Sequence, residues 1–218
     1  MKYNPAKHRR RSIRLQGYDY SQAGLYFVTI CTQNRECLFG KIADNKMVLN
    51  DAGRMVQGIW DKIPQYFHGI DIDAFQIMPN HIHGIVISVG ADSISAPDSI
   101  SAPDSISARV HNDSTHSDDR AEMDSAPTLS TVIQMFKRYT TIEYIKMVKR
   151  NVLPPFNKRI WQRNYWEHIV RNEDELNRIR QYIINNPTQW KSDRNNPMDS
   201  VSTVREPQQP YATEVWMI

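Results

Sequence analysis

The stretch IMPNHIHGIVI, residues 77–87, decides how this chain is read. Ile82, Ile85, Val86 and Ile87 are apolar and mostly β-branched, which makes a strand that is apolar on both faces and therefore central in a sheet. Two histidines, His81 and His83, interrupt it. In a strand, residues i and i+2 point to the same face, about 6.6–7 Å apart. Both imidazoles therefore reach toward one point from a rigid platform. A central strand gives little room to solvate them, so a metal, a carboxylate or a backbone group has to answer them. Neutral imidazoles are good ligands for divalent transition metals.

The flanking segments set the fold class. GLYFVTICTQ (24–33) is a strand. CLFGKIADNKMVLN (37–50) reads as a hairpin with Asp44 and Asn45 at its turn. DAGRMVQGIWDKIPQYF (51–67) opens with Asn50 or Asp51 as a cap, and Met55, Ile59 and Ile63 recur at helical spacing. IDIDAFQIMPNHIHGIVISV (70–89) supplies one or two strands. TLSTVIQMFKRYTTIEYIKMVKR (128–150) is an amphipathic helix, with Leu129, Val132, Ile133, Phe136, Ile142 and Ile145 on its apolar side. RIWQRNYWEHIVR (159–171) is aromatic and basic, a strand or an extended segment. NEDELNRIRQYIINNPTQW (172–190) is a further helix. Asn172 caps it, Glu173, Asp174 and Glu175 suit its positive end, and Pro187 stops it at about Asn186. Hairpin-linked strands with helices gathered after them give an α+β fold: an antiparallel sheet with helices largely on one face.

Between the two ordered parts, DSISAPDSISAPDSISA (92–108) is a six-residue repeat in nearly three copies. With the polar stretch through Pro127 it reads as a disordered insert over 91–127, too poor in apolar residues to fold alone. The chain divides into 1–90, the insert, 128–192, and a loose tail over 193–218. The insert carries eight acids against Arg109 and Arg120, a net of −6, which leaves +9 on the rest of a chain of net charge +3. A basic body suits a polyanionic partner, nucleic acid first, although a solvated basic surface reads the same way. The basic run at Lys7, Arg9, Arg10, Arg11 and Arg14 is a phosphate-binding arm or a solvated tail. Cys31 and Cys37 form no CxxC or zinc spacing, which suggests unlinked thiols in a reducing compartment. The N-terminus has no apolar core and no run approaches membrane-spanning length, so the expected place is the cytoplasm, with no membrane contact.

An HxH pair on a strand is a weak signal by itself. A histidine-triad hydrolase needs a third histidine where Ile85 stands, and a cupin-type site needs a glutamate that is absent before Asp92. Any metal therefore takes its other ligands from elsewhere in the chain. In YIINNP, Tyr182 and Asn186 lie one helical turn apart, with Ile179 and Ile183 turning that side toward the sheet. An amide oxygen can complete a hard-cation site, with a phenol one turn away. Taken singly, Tyr182 reads as a packed core tyrosine and Asn186 as a helix C-cap.

Taken together, MPNHIHGIV, WQRNYWEHIVRNEDELNRIRQYIINNP and the opening RRSIRLQGYDYSQAGLYFVTICTQNRECLFG resemble the single-tyrosine HUH transposases, and among them the REP-associated tyrosine transposases. The resemblance covers about 1–90 and 128–190 and excludes the insert and the tail. It implies a ferredoxin-like antiparallel sheet with the HUH pair on a central strand. It implies that His81, His83 and Asn186 bind Mg²⁺ or Mn²⁺ and that Tyr182 is the nucleophile. It implies cleavage and rejoining of single-stranded DNA near palindromic hairpins. Asn186 stands where related insertion-sequence enzymes often have a longer glutamine.

Trp161, Arg163, Tyr165, Trp166 and Arg171 interleave aromatic and basic side chains suited to stacking and phosphate binding. Lys137 and Arg138, with Arg9, Arg10 and Arg11, complete the expected DNA contacts. Trp161 and Trp166 read equally as core residues, and His168 as a structural one. A monomer and a homodimer are both compatible with these features. Two other function classes fit the same scaffold: a nucleic-acid-binding module without cleavage, and a metal-dependent phosphodiesterase that uses water. Tyr182→Phe separates the last from a strand transferase.

Overall fold

The structure is a computed structural model, and it describes residues 22–89 and 127–197. The repeat insert, apart from Pro127, and the basic N-terminal run at Arg9, Arg10 and Arg11 lie outside the described residues.

Strand β1 (Gly24–Cys31) is followed by a hairpin of β2 (Gly40–Ala43) and β3 (Lys46–Leu49). The hairpin turns at Asp44 and Asn45, with φ of 49° and 58°. Short polar side chains tolerate that left-handed backbone, which matches the twist of a two-residue hairpin. Helix α1 (Asp51–Trp60) starts where Asn50 Oδ1 accepts from the Gly53 amide. The single helix expected over 51–67 is instead two pieces. Pro64 lacks an amide hydrogen and sits in the first turn of a new short helix, α2 (Ile63–Tyr66). Strands β4 (Ile70–Ile77) and β5 (His81–Ser88) follow, joined by the tight Met78-Pro79-Asn80 turn. Helix α3 (Leu129–Lys149) leads to β6 (Trp166–Val170) and then α4 (Glu173–Asn185). Past Asn185 the chain tightens into a 3₁₀ segment, Asn186–Ser192, because Pro187 cannot continue the α-helical hydrogen bonds.

The sheet runs β4-β5-β1-β6, and the pairings β4–β5, β5–β1 and β1–β6 are antiparallel. Counting only its four strands in chain order, the sheet reads 2-3-1-4, with a helical crossover after the first strand and another after the third. This is the split β-α-β arrangement of ferredoxin-like folds. The histidine strand β5 is internal, as the sequence indicates.

Side chains alternate across the sheet. Tyr26, Val28, Ile30, Ile82 and Val86 point to one face, where they pack with α1, α2 and α3 through Val56, Trp60, Ile63, Val132, Ile133 and Phe136. Gly84 belongs to this face, and a Cβ there would stand 2.4 Å from the Trp60 ring. The indole therefore lies directly on the strand backbone. Phe27, Ile85 and Val170 point to the other face, where α4 lies with Leu176, Ile179 and Ile183. Among the described residues, three helices thus share one face, and α4 with the 3₁₀ segment after it covers the other.

The apolar stripe of α3 differs from expectation in its second half. Leu129, Val132, Ile133 and Phe136 are buried, but the stripe continues through Thr140 and Tyr144. Ile142 and Ile145 are each 38% exposed. The helical period carries the buried line through 136, 140 and 144, so positions 142 and 145 rotate outward.

Candidate active site

His81 and His83 project from β5 toward α4, on the face opposite Trp60. They are 0% and 2% exposed. Their Nε2 atoms lie 3.1 Å apart. His81 Nδ1 donates to Asn80 Oδ1 at 2.8 Å. That direction follows because the Asn80 amide nitrogen already donates to the carbonyls of Arg35 and Asn195. The bond leaves the lone pair of His81 on Nε2, turned toward His83. Thr29, across the strand pair from His83, places its hydroxyl 2.9 Å from His83 Nδ1. A hydroxyl donates or accepts, so it serves either tautomer of that ring. Such outer partners fix ring orientation in metal sites.

Both imidazoles are held neutral. Burial, followed by the Arg35 and Arg194 charges, pushes His81 down to about 3. Burial and the adjacent His81 hold His83 well below its ordinary value. Neutral rings are the ligand form.

Two further groups, Tyr182 and Asp193, meet the pair, and Asn186 follows Tyr182 by one helical turn. The Tyr182 ring is 5.3 Å from the His83 ring, centroid to centroid, and 5.9 Å from Phe27. Asp193 Oδ2 is 3.6 Å from His81 Nε2. One ligand atom each from His81, His83 and Asp193 lie within 4.8 Å of one another. Asn186 is 2% exposed, and its Oδ1 is buried with no hydrogen-bond partner among the described residues. An orphaned buried oxygen is costly unless a cation or another donor answers it. Two cis donors at about 2.1 Å from an octahedral cation are about 3 Å apart, which matches the two Nε2 atoms. The donor set of two nitrogens and a carboxylate suits a divalent ion that accepts both N and O ligands.

Helix α4 is capped at its start and tied to β4 further along. Asn172 Oδ1 accepts from the Glu175 amide at its start. Arg180 Nη2 donates to Asp73 Oδ2 at 2.6 Å, from α4 to a bulge in β4 between Ile72 and Phe75. Burial alone would raise Glu175. The Arg171 amide, the His168 hydrogen bond and the nearby charges outweigh it, and the carboxyl sits below its ordinary value. His168 is accordingly a structural partner, 2.8 Å from Glu175.

Asp193 corrects the expected boundary at 192. The tail was expected to be loose from 193, yet its first residues pack onto the site. Besides the Asp193 contact, the Asn195 carbonyl accepts from Asn80 Nδ2 at 2.7 Å and the Arg194 carbonyl from Arg35 Nη1 at 2.6 Å. No local pattern marks Asp193 as a neighbour of the pair, because His81 and His83 lie more than a hundred positions away in sequence.

The expected DNA contacts separate into groups. Trp161 is not a stacking platform. It is 4% exposed, packs against Phe39 and Phe136, and donates its indole hydrogen to Thr140 Oγ1 at 2.8 Å. Lys137 is partly exposed, and its ammonium is engaged within the chain. Its ammonium donates to the carbonyls of Gln162, Arg163 and Asn164, and burial pushes it down to about 8. Tyr165 is partly buried, with that ammonium 5.3 Å from its ring centroid. Arg138 and Arg163 are exposed and face a common cleft. Arg171 is exposed beside Val170, which pairs with Leu25, at the end of the sheet away from His81.

Fold and site together define an α+β protein whose central strand carries a buried histidine pair beneath a tyrosine-bearing helix. An uncharacterised protein of Haemophilus influenzae is 37% identical over 195 residues, covering 88% of this chain and 96% of that one. The chain belongs to the same family as that protein. No family model matches it. Two solved structures are similar. One is a REP-associated tyrosine transposase bound to a REP hairpin, with a TM-score of 0.45 and 18% identity, covering 81% of this chain and 73% of that one. The other is a candidate transposase of Deinococcus radiodurans, with a TM-score of 0.40 and 14% identity, covering 79% of this chain and 95% of that one. No helix among the described residues is long and apolar enough to cross a membrane, and both cysteines are free thiols.

Proposed function

We propose that this protein cuts and rejoins single-stranded DNA beside palindromic hairpins, with Tyr182 as nucleophile and His81, His83, Asn186 and Asp193 as holders of Mg²⁺ or Mn²⁺. The observation that carries the reading is the placement of the Tyr182 ring over His83, where two neutral imidazoles aim their Nε2 atoms at one point. The resemblance of the His81–His83 and Tyr182–Asn186 motifs to HUH transposases points the same way. A core tyrosine has no need of that company.

A phenol with a pKa near 10 is a weak nucleophile at neutral pH. When bound, the cation supplies positive charge to the phosphate and to the oxygens that become anionic. The chain's own residues do the rest. The Tyr182 oxygen attacks phosphorus as the phenol gives up its proton. The bond from phosphorus to the 3′ oxygen breaks, and that oxygen leaves and takes up a proton. The products are a 5′-phosphotyrosine and a free 3′-OH. The ester keeps the energy of the broken bond, so a second 3′-OH can displace Tyr182 and join strands without ATP. Helix α4, held by Asp73 and capped by Asn172, positions the phenol. Thr29 and Asn80 orient the imidazoles. Since Trp190 packs over His81, a phosphate reaches the pair when that side chain moves aside.

The test is covalent trapping on labelled single-stranded hairpins from the DNA beside the gene, with Mn²⁺ or Mg²⁺. A detergent-resistant adduct that needs the metal, His81 and Tyr182 is the expected result. Cleavage that survives Tyr182→Phe without an adduct would assign hydrolysis by water. Binding with no cleavage on any hairpin would assign a binding module.

A further inference from the structure

A second feature of the molecule is not used by this chemistry. An open cleft of about 450 Å³ lies between α3 and the chain leading to β6, lined by Arg138, Thr141, Ile142, Arg159, Ile160 and Arg163. Its floor is apolar: Ile160 is buried, and Ile142 is half-exposed in the cleft although it stands on a helix surface. Its rim is cationic. Arg138, Arg159 and Arg163 are exposed, and none of the three forms an ion pair among the described residues.

The walls are fixed. The Lys137 ammonium holds three successive carbonyls of the 162–164 segment. Gln162 ties the same segment to the end of β1, its amide donating to the Cys31 carbonyl at 2.9 Å and its side chain to the Thr32 carbonyl at 3.1 Å. Cys31 pairs with His81 across the sheet. The cleft wall is therefore one strand away from the histidine strand.

Three unpaired guanidinium groups around an apolar floor complement a ligand that is anionic at its edge and flat and apolar in its body. An unpaired nucleotide has this form: phosphates for the arginines, a base for the floor. The volume falls in the range of small-molecule pockets. Duplex DNA keeps its bases stacked inside and offers such a floor nothing to cover. We propose that this cleft binds an unpaired nucleotide of the single strand flanking the cut. The inference rests on the DNA-processing reading above and extends it to the substrate's single-stranded arm.

The test uses the full chain and an oligothymidylate carrying 5-bromodeoxyuridine, alone or as a tail on a hairpin. Ultraviolet cross-linking and peptide mapping should place the adduct within 138–142 or 159–163. Arg159→Glu should weaken binding of the tailed hairpin about tenfold, and should flatten the dependence of log affinity on log salt by about 0.7 per phosphate lost. Arg150→Glu, an exposed change at the end of α3 outside the cleft, should cost little of either. Cross-links that map elsewhere would overturn the assignment. So would an Arg159→Glu loss no larger than that of Arg150→Glu, or an equal loss on a blunt hairpin without a tail. The phosphotyrosine adduct is scored on the same DNA. Cross-linking in the cleft without that adduct discards strand transfer and keeps the cleft, and the adduct without cleft cross-links does the reverse.

Discussion

The two faces of the sheet are built from the same strands and come out unlike. The face under α1, α2 and α3 is a continuous apolar core, with Trp60 stacked on Phe75 at 4.4 Å and edge-on to Phe136 at 5.3 Å. The face under α4 has a smaller apolar cluster around Phe27, Ile85 and Ile179, and beside it two imidazoles and a carboxylate. Strand β5 supplies both through simple alternation: Ile82, Gly84 and Val86 to one side, His81, His83 and Ile85 to the other. Stability is concentrated on one face, which leaves the other able to hold groups that pack poorly.

Substitutions can break that contrast. The largest effect belongs to the apolar face. Phe136→Ala should lower unfolding free energy by about 3–5 kcal/mol, read in urea denaturation. A loss below 1 kcal/mol would mean that the core is not concentrated there. The next effect belongs to the histidine face and appears on adding metal. Mn²⁺ at a hundred times its dissociation constant should stabilise the chain by about 2.7 kcal/mol. His83→Ala should abolish that gain, Asn186→Ala and Asp193→Ala should reduce it, and Phe136→Ala should keep it. A thermal shift unchanged in His83→Ala would place the ion elsewhere. Gly84→Ala comes third. The added methyl meets Trp60, and the expected cost is about 1–3 kcal/mol from overpacking. A neutral result would show that the indole can withdraw.

The smallest effect sharpens how α4 is held. Arg180 hydrogen bonds lower Asp73 below its ordinary 3.8, against a smaller opposing push from burial. The folded value is below the unfolded one, so this contribution is fully present above about pH 4 and is lost as pH falls through the folded value. Asp73→Asn should therefore be slightly less stable than the parent at pH 7 and converge with it in acid, giving a shallower dependence on pH in the acid range. An acid limb identical to that of the parent would show that the pair contributes nothing, as many partly exposed ion pairs do.

Much of this architecture can be read from local sequence. The Asp44-Asn45 turn, the Asn50 and Asn172 caps and the alternation in β5 each follow from a few neighbouring residues. So does the shared facing of His81 and His83. The parts that escaped depend on contacts distant in the chain. Asp193 has no local mark, since it becomes a neighbour of His81 only after α4 and the 3₁₀ segment bring the chain back. Trp161 looks like a surface aromatic among arginines until Thr140, a polar residue on the buried line of α3, accepts its indole hydrogen. Lys137 looks like a phosphate ligand until the 162–164 carbonyls surround it. Composition shows that such residues are polar or aromatic. Which of them the fold turns inward is decided by tertiary packing.

The position of the repeat has a consequence for how this protein can change over generations. Strand β5 enters the sheet at His81 and leaves it at Ser88, about 23 Å further along at 3.3 Å per residue. The SISAPD copies are spliced in beyond that far end, before the chain resumes at α3. Copying errors that lengthen or shorten the repeat therefore enter the chain after the end of β5 and leave the sequence of that strand intact. Inheritance can vary the length of this chain between β5 and α3 without altering the order of residues that carries the histidine pair.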